Sequence, residues 1–98
     1  MARITSYEAQ AELAEQLRRY LHGLQSRLGA VVNQYRQFAG QLYDAGMLDE
    51  AHNDFVTNYM SETNDKINSV IDNINERDIP FVNSYIQELE EQMAKHKK

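Results

Sequence analysis

The side chains able to bind metal or move protons are three histidines and fifteen carboxylates, because the chain contains no cysteine. Asp49 and His52 are spaced i, i+3 and share a helix face, where they could supply two metal ligands. A di-metal site in a helical bundle needs Glu-x-x-His pairs from two helices. No histidine here has a glutamate three residues before it. We therefore interpret Asp49 and His52 as first-turn residues of a helix and expect no metal and no cofactor.

The parts of a nucleophilic site are also missing from the sequence. Without cysteine or a Gly-x-Ser-x-Gly elbow, the usual hydrolase chemistries have no nucleophile. The segment Asp49-Glu50-Ala51-His52 matches the box of an RNA helicase family, but that box acts beside a Gly-rich phosphate loop ending in Lys-Ser/Thr, which this sequence lacks. Glu88, Glu90 and Glu91 point in different directions on a helix and are interpreted as solvated. We expect no catalytic residues and no enzymatic activity.

Length and charge limit the classes of protein to which the chain can belong. Ninety-eight residues predict a single domain over 1–98. A net charge of −5 is opposite to the basic surface that nucleic-acid binding requires. No apolar run approaches the ~20 residues of a membrane span, and the first residues lack the apolar core of a secretory signal. We expect a cytoplasmic protein with no transmembrane segment and no nucleic-acid partner, and leave open its export without a conventional signal peptide.

A sustained heptad pattern occupies the first half of the chain. Thr5 and Glu8 have the spacing of a capping box at its start. Downstream, apolar residues alternate between steps of four and three, which indicates a helix facing another helix. These residues, the predicted seam, are Leu17, Leu21, Leu24, Leu28, Val31, Tyr35, Phe38 and Leu42. We predict helix one over about 6–43.

Glycines interrupt and then end this helix. We interpret Gly23, Gly29 and Gly40 as places of close helix approach or gentle bending. Gly46 can take the left-handed conformation that closes a helix, so a turn is predicted over about 44–47.

The apolar pattern resumes after the turn and predicts helix two over about 48–94. It includes Phe55 and Tyr59 and later recurs at spacings of three, four and seven. Pro80 has no amide donor and disfavours helical angles at Ile79, so helix two is predicted to kink or restart there. The fold class is all-α, an antiparallel hairpin of two long helices.

Two helices cannot bury a wide apolar stripe against each other alone, since even a compact domain of this size buries only about 60% of its unfolded surface. We therefore expect a partner that completes a four-helix bundle, either a second copy of the chain or another helical protein. The expected interface is the predicted seam together with Phe55 and Tyr59. A self-contained bundle of three or four helices is the alternative.

The architecture and the turn resemble the Trp-x-Gly family of small, early-secreted-antigen-like proteins of type VII secretion. These are cysteine-free helical hairpins of about 100 residues with a glycine turn near the middle. Gly46 matches the turn glycine, and Tyr43 stands one position before the family's tryptophan. In that role Tyr43 would pack beneath the turn against Phe55 or Leu48. The family's C-terminal export pattern, an aromatic followed four residues later by Asp or Glu, is absent.

The resemblance implies a type VII secretion substrate, or a small companion that binds the helical N-terminal region of a secreted toxin. Either would act through helix-on-helix association, as a dimer or beside the toxin. Because a helical hairpin supports many functions, a cytosolic helical adaptor or coiled-coil subunit unrelated to secretion is the alternative.

Overall fold

A computed structural model of the chain describes residues 6–96. Four α-helices and two π-helical turns follow one another in this range, and no strand occurs within it. The helices are α1 (Tyr7–Asp44), α2 (Asp49–Phe55), α3 (Ser61–Asn73) and α4 (Ile79–His96), and the π-helical turns are Val56–Met60 and Ile74–Asp78. The predicted all-α helical hairpin is confirmed, with α1 as its first helix and the joined segments α2 to α4 as its second.

The first helix begins at a serine cap. The Ala9 amide donates to Ser6 Oγ at 3.2 Å, which satisfies one of the free amides of the first turn. Thr5, the expected cap residue, lies outside the described residues. The cap bond that the structure shows belongs to Ser6, because α1 begins at Tyr7 and its third helical residue is Ala9.

The end of α1 is a glycine-closed Schellman motif. Gly46 has φ +113°, in the region that favours glycine. The Gly46 amide donates to the Tyr43 carbonyl and the Met47 amide to the Leu42 carbonyl, each at 3.1 Å. These two bonds satisfy carbonyls that the end of a helix would otherwise leave free. Two residues beyond Met47, α2 begins.

The chain divides into two compact units, and α1 contributes its first part to one unit and its last part to the other. The described part of the terminal unit is 6–23 with 74–96, and the turn unit is 24–73. In the terminal unit, Gln10 contacts Tyr85 and Arg18 contacts Asn83, so α1 and α4 run antiparallel. In the turn unit, the Tyr35 ring contacts Phe55 and the Tyr43 ring contacts His52, so α2 returns along α1.

Each unit has a small buried core. In the terminal unit the buried apolar residues are Ala14, Leu21, Ile74, Ile79, Val82, Ile86 and Leu89. In the turn unit they are Val32, Ala39 and Met60. Burying a side chain of the Leu or Ile size stabilises the fold by roughly 1.5–3 kcal/mol, so the terminal unit has the larger apolar contribution.

The π-helical turns coincide with five-residue steps in the buried pattern. Ile74 and Ile79 are both buried although they lie five residues apart, and Ile74–Asp78 is π-helical. A π-helical turn closes i to i+5 bonds, so residues five apart return to one face. Pro80 follows in the first turn of α4, where it has no amide for the Glu76 carbonyl and its ring needs room beside that carbonyl. The irregularity predicted near Pro80 is therefore present, as a wide turn followed by a new helix.

Of the two interpretations of the helix-one glycines, close helix approach is excluded at two positions. A Cβ added at Gly29 or at Gly40 would meet nothing within 4 Å. Neither residue therefore permits a close approach of another helix within the described chain.

Candidate functional site

The predicted seam of α1 divides into buried and exposed residues. In the terminal unit Leu21 is buried, whereas Leu17 is 48% exposed. In the turn unit Leu24, Leu28 and Tyr35 are half-buried. Val31, Phe38 and Leu42 of the same unit are exposed, Phe38 by 58%.

The buried side of α1 uses residues one position beyond the exposed ones. Val32 and Ala39 are buried where Val31 and Phe38 are exposed. Adjacent helix residues differ by about 100° around the axis, so α1 carries an apolar stripe wider than the surface its own chain covers. The pattern of apolar residues alone could not separate the two sides, because both follow steps of three and four.

Helix two shows the same division. Phe55 is half-buried between Tyr35, at a ring-centroid distance of 5.9 Å, and Tyr59, at 6.4 Å. Tyr59 itself is exposed, and Met60 is the residue that is buried. The sequence analysis missed Met60 because it follows Phe55 by five residues, a step that only the π-helical turn Val56–Met60 accommodates.

An apolar groove, here called the terminal groove, lies between α1 and α4 in the terminal unit. Its volume is about 310 Å³. Leu13, Leu17 and Phe81 line it and are exposed by 65%, 48% and 71%. Ala14 and Val82, both buried, line it as well.

The two ends of the terminal groove are polar. At one end the Tyr85 hydroxyl donates to Gln10 Oε1 at 2.6 Å. Toward the other end a hollow of about 300 Å³ shares Leu17, Phe81 and Val82 with the groove and is also lined by Leu21 and Asp78. Among described residues that line either hollow, Asp78 is the single charged one.

The other flank of the α1–α4 contact is closed by polar groups. Arg18 Nη1 donates to Asn83 Oδ1 across the two helices at 3.1 Å. Arg18 Nη2 also donates to Glu15 Oε2 at 2.6 Å and forms an ion pair with that carboxylate. Because Arg18 is about 100° around the helix from Leu17, these bonds leave the apolar flank open.

A polar cluster lies at the tip of the hairpin. The Tyr43 hydroxyl donates to Asp49 Oδ1 at 2.7 Å, and its ring lies 4.6 Å from the His52 ring. The hydrogen bond to Asp49 raises the pKa of Tyr43, and partial burial and the Asp44 charge raise it further. The ring that the structure shows against Tyr43 is that of His52, whereas Phe55 contacts Tyr35 and Tyr59 and Leu48 is 76% exposed.

One polar side chain is buried in the turn unit. Asn64 is 3% exposed, and its Oδ1 has no hydrogen-bond partner. Leaving such a group unpaired costs about 1–3 kcal/mol. Asn64 lies in the first turn of α3.

The described residues contain no group of three or more His, Asp or Glu side chains placed to hold a metal ion. Over that same range, none of the helices combines the length and the apolarity needed to cross a membrane.

The fold and the groove together describe a helical hairpin with an incompletely covered apolar stripe. Comparison with protein-family models, with curated proteins and with solved structures finds no match for this chain.

Proposed function

We propose that this chain is a non-enzymatic helical association protein, acting as a type VII secretion substrate or as the small companion of a secreted toxin. The observation that carries the proposal is the exposure of Val31, Phe38 and Leu42, which follow one another at steps of seven and four along α1 in the turn unit. Exposed apolar side chains grouped on one helix in this way are typical of an interaction site. A helix of a second copy or of another helical protein would cover it and complete a four-helix bundle.

Two features support the secretion assignment. The chain resembles the Trp-x-Gly family in length, in its lack of cysteine and in its central glycine turn. Gly46 has the backbone conformation that such a turn demands, and Tyr43 provides an aromatic ring beside it. The site chemistry agrees with an interaction role, since the polar cluster at the tip is engaged in its own contacts.

The test is affinity capture of the tagged chain from its native cells, with lysate and culture medium sampled together and the recovered proteins identified by mass spectrometry. The tagged chain carries either Phe38→Asp, which places a charge on the exposed apolar stripe, or Gln37→Asp, which adds the same charge on an adjacent exposed polar residue. The proposal expects a helical toxin or secretion component that Phe38→Asp loses and Gln37→Asp retains.

Two results would contradict this proposal. Recovery only from lysate with cytosolic regulators, still sensitive to Phe38→Asp, would transfer the function to the adaptor class. A set of recovered proteins that neither variant changes would remove association through the exposed residues around Phe38.

A further inference from the structure

We propose that the terminal groove binds an amphipathic helix of another protein whose apolar stripe is flanked by Lys and Arg. This inference rests on the proposed function, because it names the class of partner for one part of the association surface. It concerns only the terminal unit, whereas the capture variants lie in the turn unit.

The shape of the terminal groove suits a helix rather than a small molecule. It is open to solvent along Leu13, Leu17 and Phe81, which are contributed by two antiparallel helices. An apolar face that inserts between two helices is the usual helix-in-groove mode of recognition, in which residues at i, i+3, i+4 and i+7 provide the anchors. Phe81 is the candidate for the dominant contact, because aromatic residues in a groove carry much of the binding energy.

Charge determines which helix fits. Asp78 is the charged residue among the described residues that line the two hollows, and the cation nearest in sequence to Leu17, Arg18, is bound to Glu15 and Asn83. Over the whole chain, Asp and Glu outnumber Lys and Arg by fifteen to ten. A partner with acidic flanks would meet like charge, as would a second copy of this chain, whose net charge is −5. A basic helix gains attraction, and one of its cations can reach Asp78.

The test uses the full chain and two synthetic helical peptides of about 18 residues, or about 27 Å in helical form. The peptides share one apolar stripe, and its flanks are Lys in one and Glu in the other. Binding is followed by fluorescence anisotropy at low and at high salt. A third peptide has the Lys-rich composition with the apolar residues dispersed around the helix.

The expected result is saturable binding of the Lys-flanked peptide, tighter than the Glu-flanked peptide by about tenfold at low salt and by less at high salt. Phe81→Asp should abolish this binding. Leu48→Asp, which alters an equally exposed apolar residue of the turn unit, should not. Asp78→Asn should weaken binding of the Lys-flanked peptide about twofold to fivefold, as expected for the loss of one exposed ion pair. It should leave the affinity for the Glu-flanked peptide unchanged.

Several outcomes would overturn the inference. Equal affinity for the Lys-flanked and Glu-flanked peptides would remove the charge argument. Equal affinity for the Lys-flanked peptide and the peptide with dispersed apolar residues would remove the argument for an apolar stripe. A concentration-dependent dimer at neutral pH that Phe81→Asp dissociates and the Lys-flanked peptide cannot compete with would assign the groove to a second copy. If the peptide binds but the capture experiment fails, the groove stands without the proposed function. If the peptide fails while capture depends on Phe38, association uses the turn unit.

Discussion

At the scale of single residues, Tyr43 links the end of α1 to the start of α2. Its hydroxyl donates to Asp49, and its ring contacts His52. A deprotonated tyrosine cannot donate this bond, which is why the bond raises the pKa of Tyr43 above its ordinary value of 10.0. A raised pKa in the folded state means that the stabilisation is complete below the unfolded pKa and is lost as pH rises through the folded pKa.

We expect Tyr43→Phe to lower the urea midpoint of unfolding at pH 8, and we expect this difference to shrink as the pH rises above 10.0 and through the raised pKa of Tyr43. The measurement is urea unfolding of both chains across this pH range. Tyr59→Phe, which removes a hydroxyl from an exposed ring of the same unit, controls for the general loss of a titrating group. Equal urea midpoints for Tyr43→Phe and the parent chain at pH 8 would disprove the role of the hydroxyl bond.

A single polar residue, Arg18, shows why the seam residue Leu17 is exposed. Arg18 is polar, yet it binds Asn83 of α4 and lies on the side of α1 that its own chain covers. Sequence reasoning by apolar residues passes over such a position and selects Leu17 instead. This pairing of a guanidinium and an amide across the two helices is not encoded in a pattern of apolar residues.

At the scale of elements, the extent of α1 and its closing turn were predictable because heptad spacing and a glycine are local signals. The buried residues of the second helix were not. Apolar residues at steps of three and four predict an uninterrupted α-helix, whereas the pairs Phe55/Met60 and Ile74/Ile79 are five apart. Placing them on one side requires π-helical turns, which depend on tertiary packing against α1 within each unit.

The five-residue step gives a test by deletion. In a Pro80→Ala background, removing Asn75 shortens the step from Ile74 to Ile79 to four, which an ordinary α-helix accommodates. We expect a free energy of unfolding within about 1 kcal/mol of the Pro80→Ala parent. The measurement is chemical denaturation followed by circular dichroism.

A deletion elsewhere provides the matched control. Removing Ser84 rotates the rest of α4 by about 100° and withdraws Ile86 and Leu89 from the core, at roughly 1.5–3 kcal/mol each. Equal destabilisation by the two deletions would mean that the π-helical turn is not an accommodated extra residue.

Two glycine substitutions should change the stability of the chain in opposite directions. Gly46→Val should destabilise the chain by about 1–3 kcal/mol, because a β-branched residue is strained at φ +113°. Gly40→Ala should stabilise it by about 0.4–1 kcal/mol, since the new methyl group meets open space inside a helix. Thermal unfolding measures both, and a shift of the same sign for the two variants would contradict the assignment of their roles.

At the scale of the whole molecule, exposed apolar surface is combined with a net negative charge. The charge of −5 at pH 7 opposes self-association, and it vanishes near the isoelectric point of about 5.1. We expect the mass measured by light scattering to rise as pH falls from 7 toward 5.

Phe38→Asp should suppress this rise, because it lowers the isoelectric point and breaks the apolar stripe. Gln37→Asp shifts the charge equally and separates the two effects. A mass that stays constant down to pH 5 would show that the exposed residues do not drive association. Under the proposed function, this negative charge disfavours self-association at neutral pH and leaves the exposed apolar residues free for a partner.

The unpaired oxygen of Asn64 has a consequence for motion. When α3 opens locally, water can hydrogen-bond to Oδ1 and recover much of the free energy that its burial without a partner costs, so the cost of local opening is lowered there. Amide hydrogens of α3 should therefore exchange with deuterium sooner than those around Ile86 in α4. Asn64→Leu should slow them, while the exposed Asn68→Leu should not. We therefore expect α3 to open locally around Asn64 without unfolding of the whole turn unit.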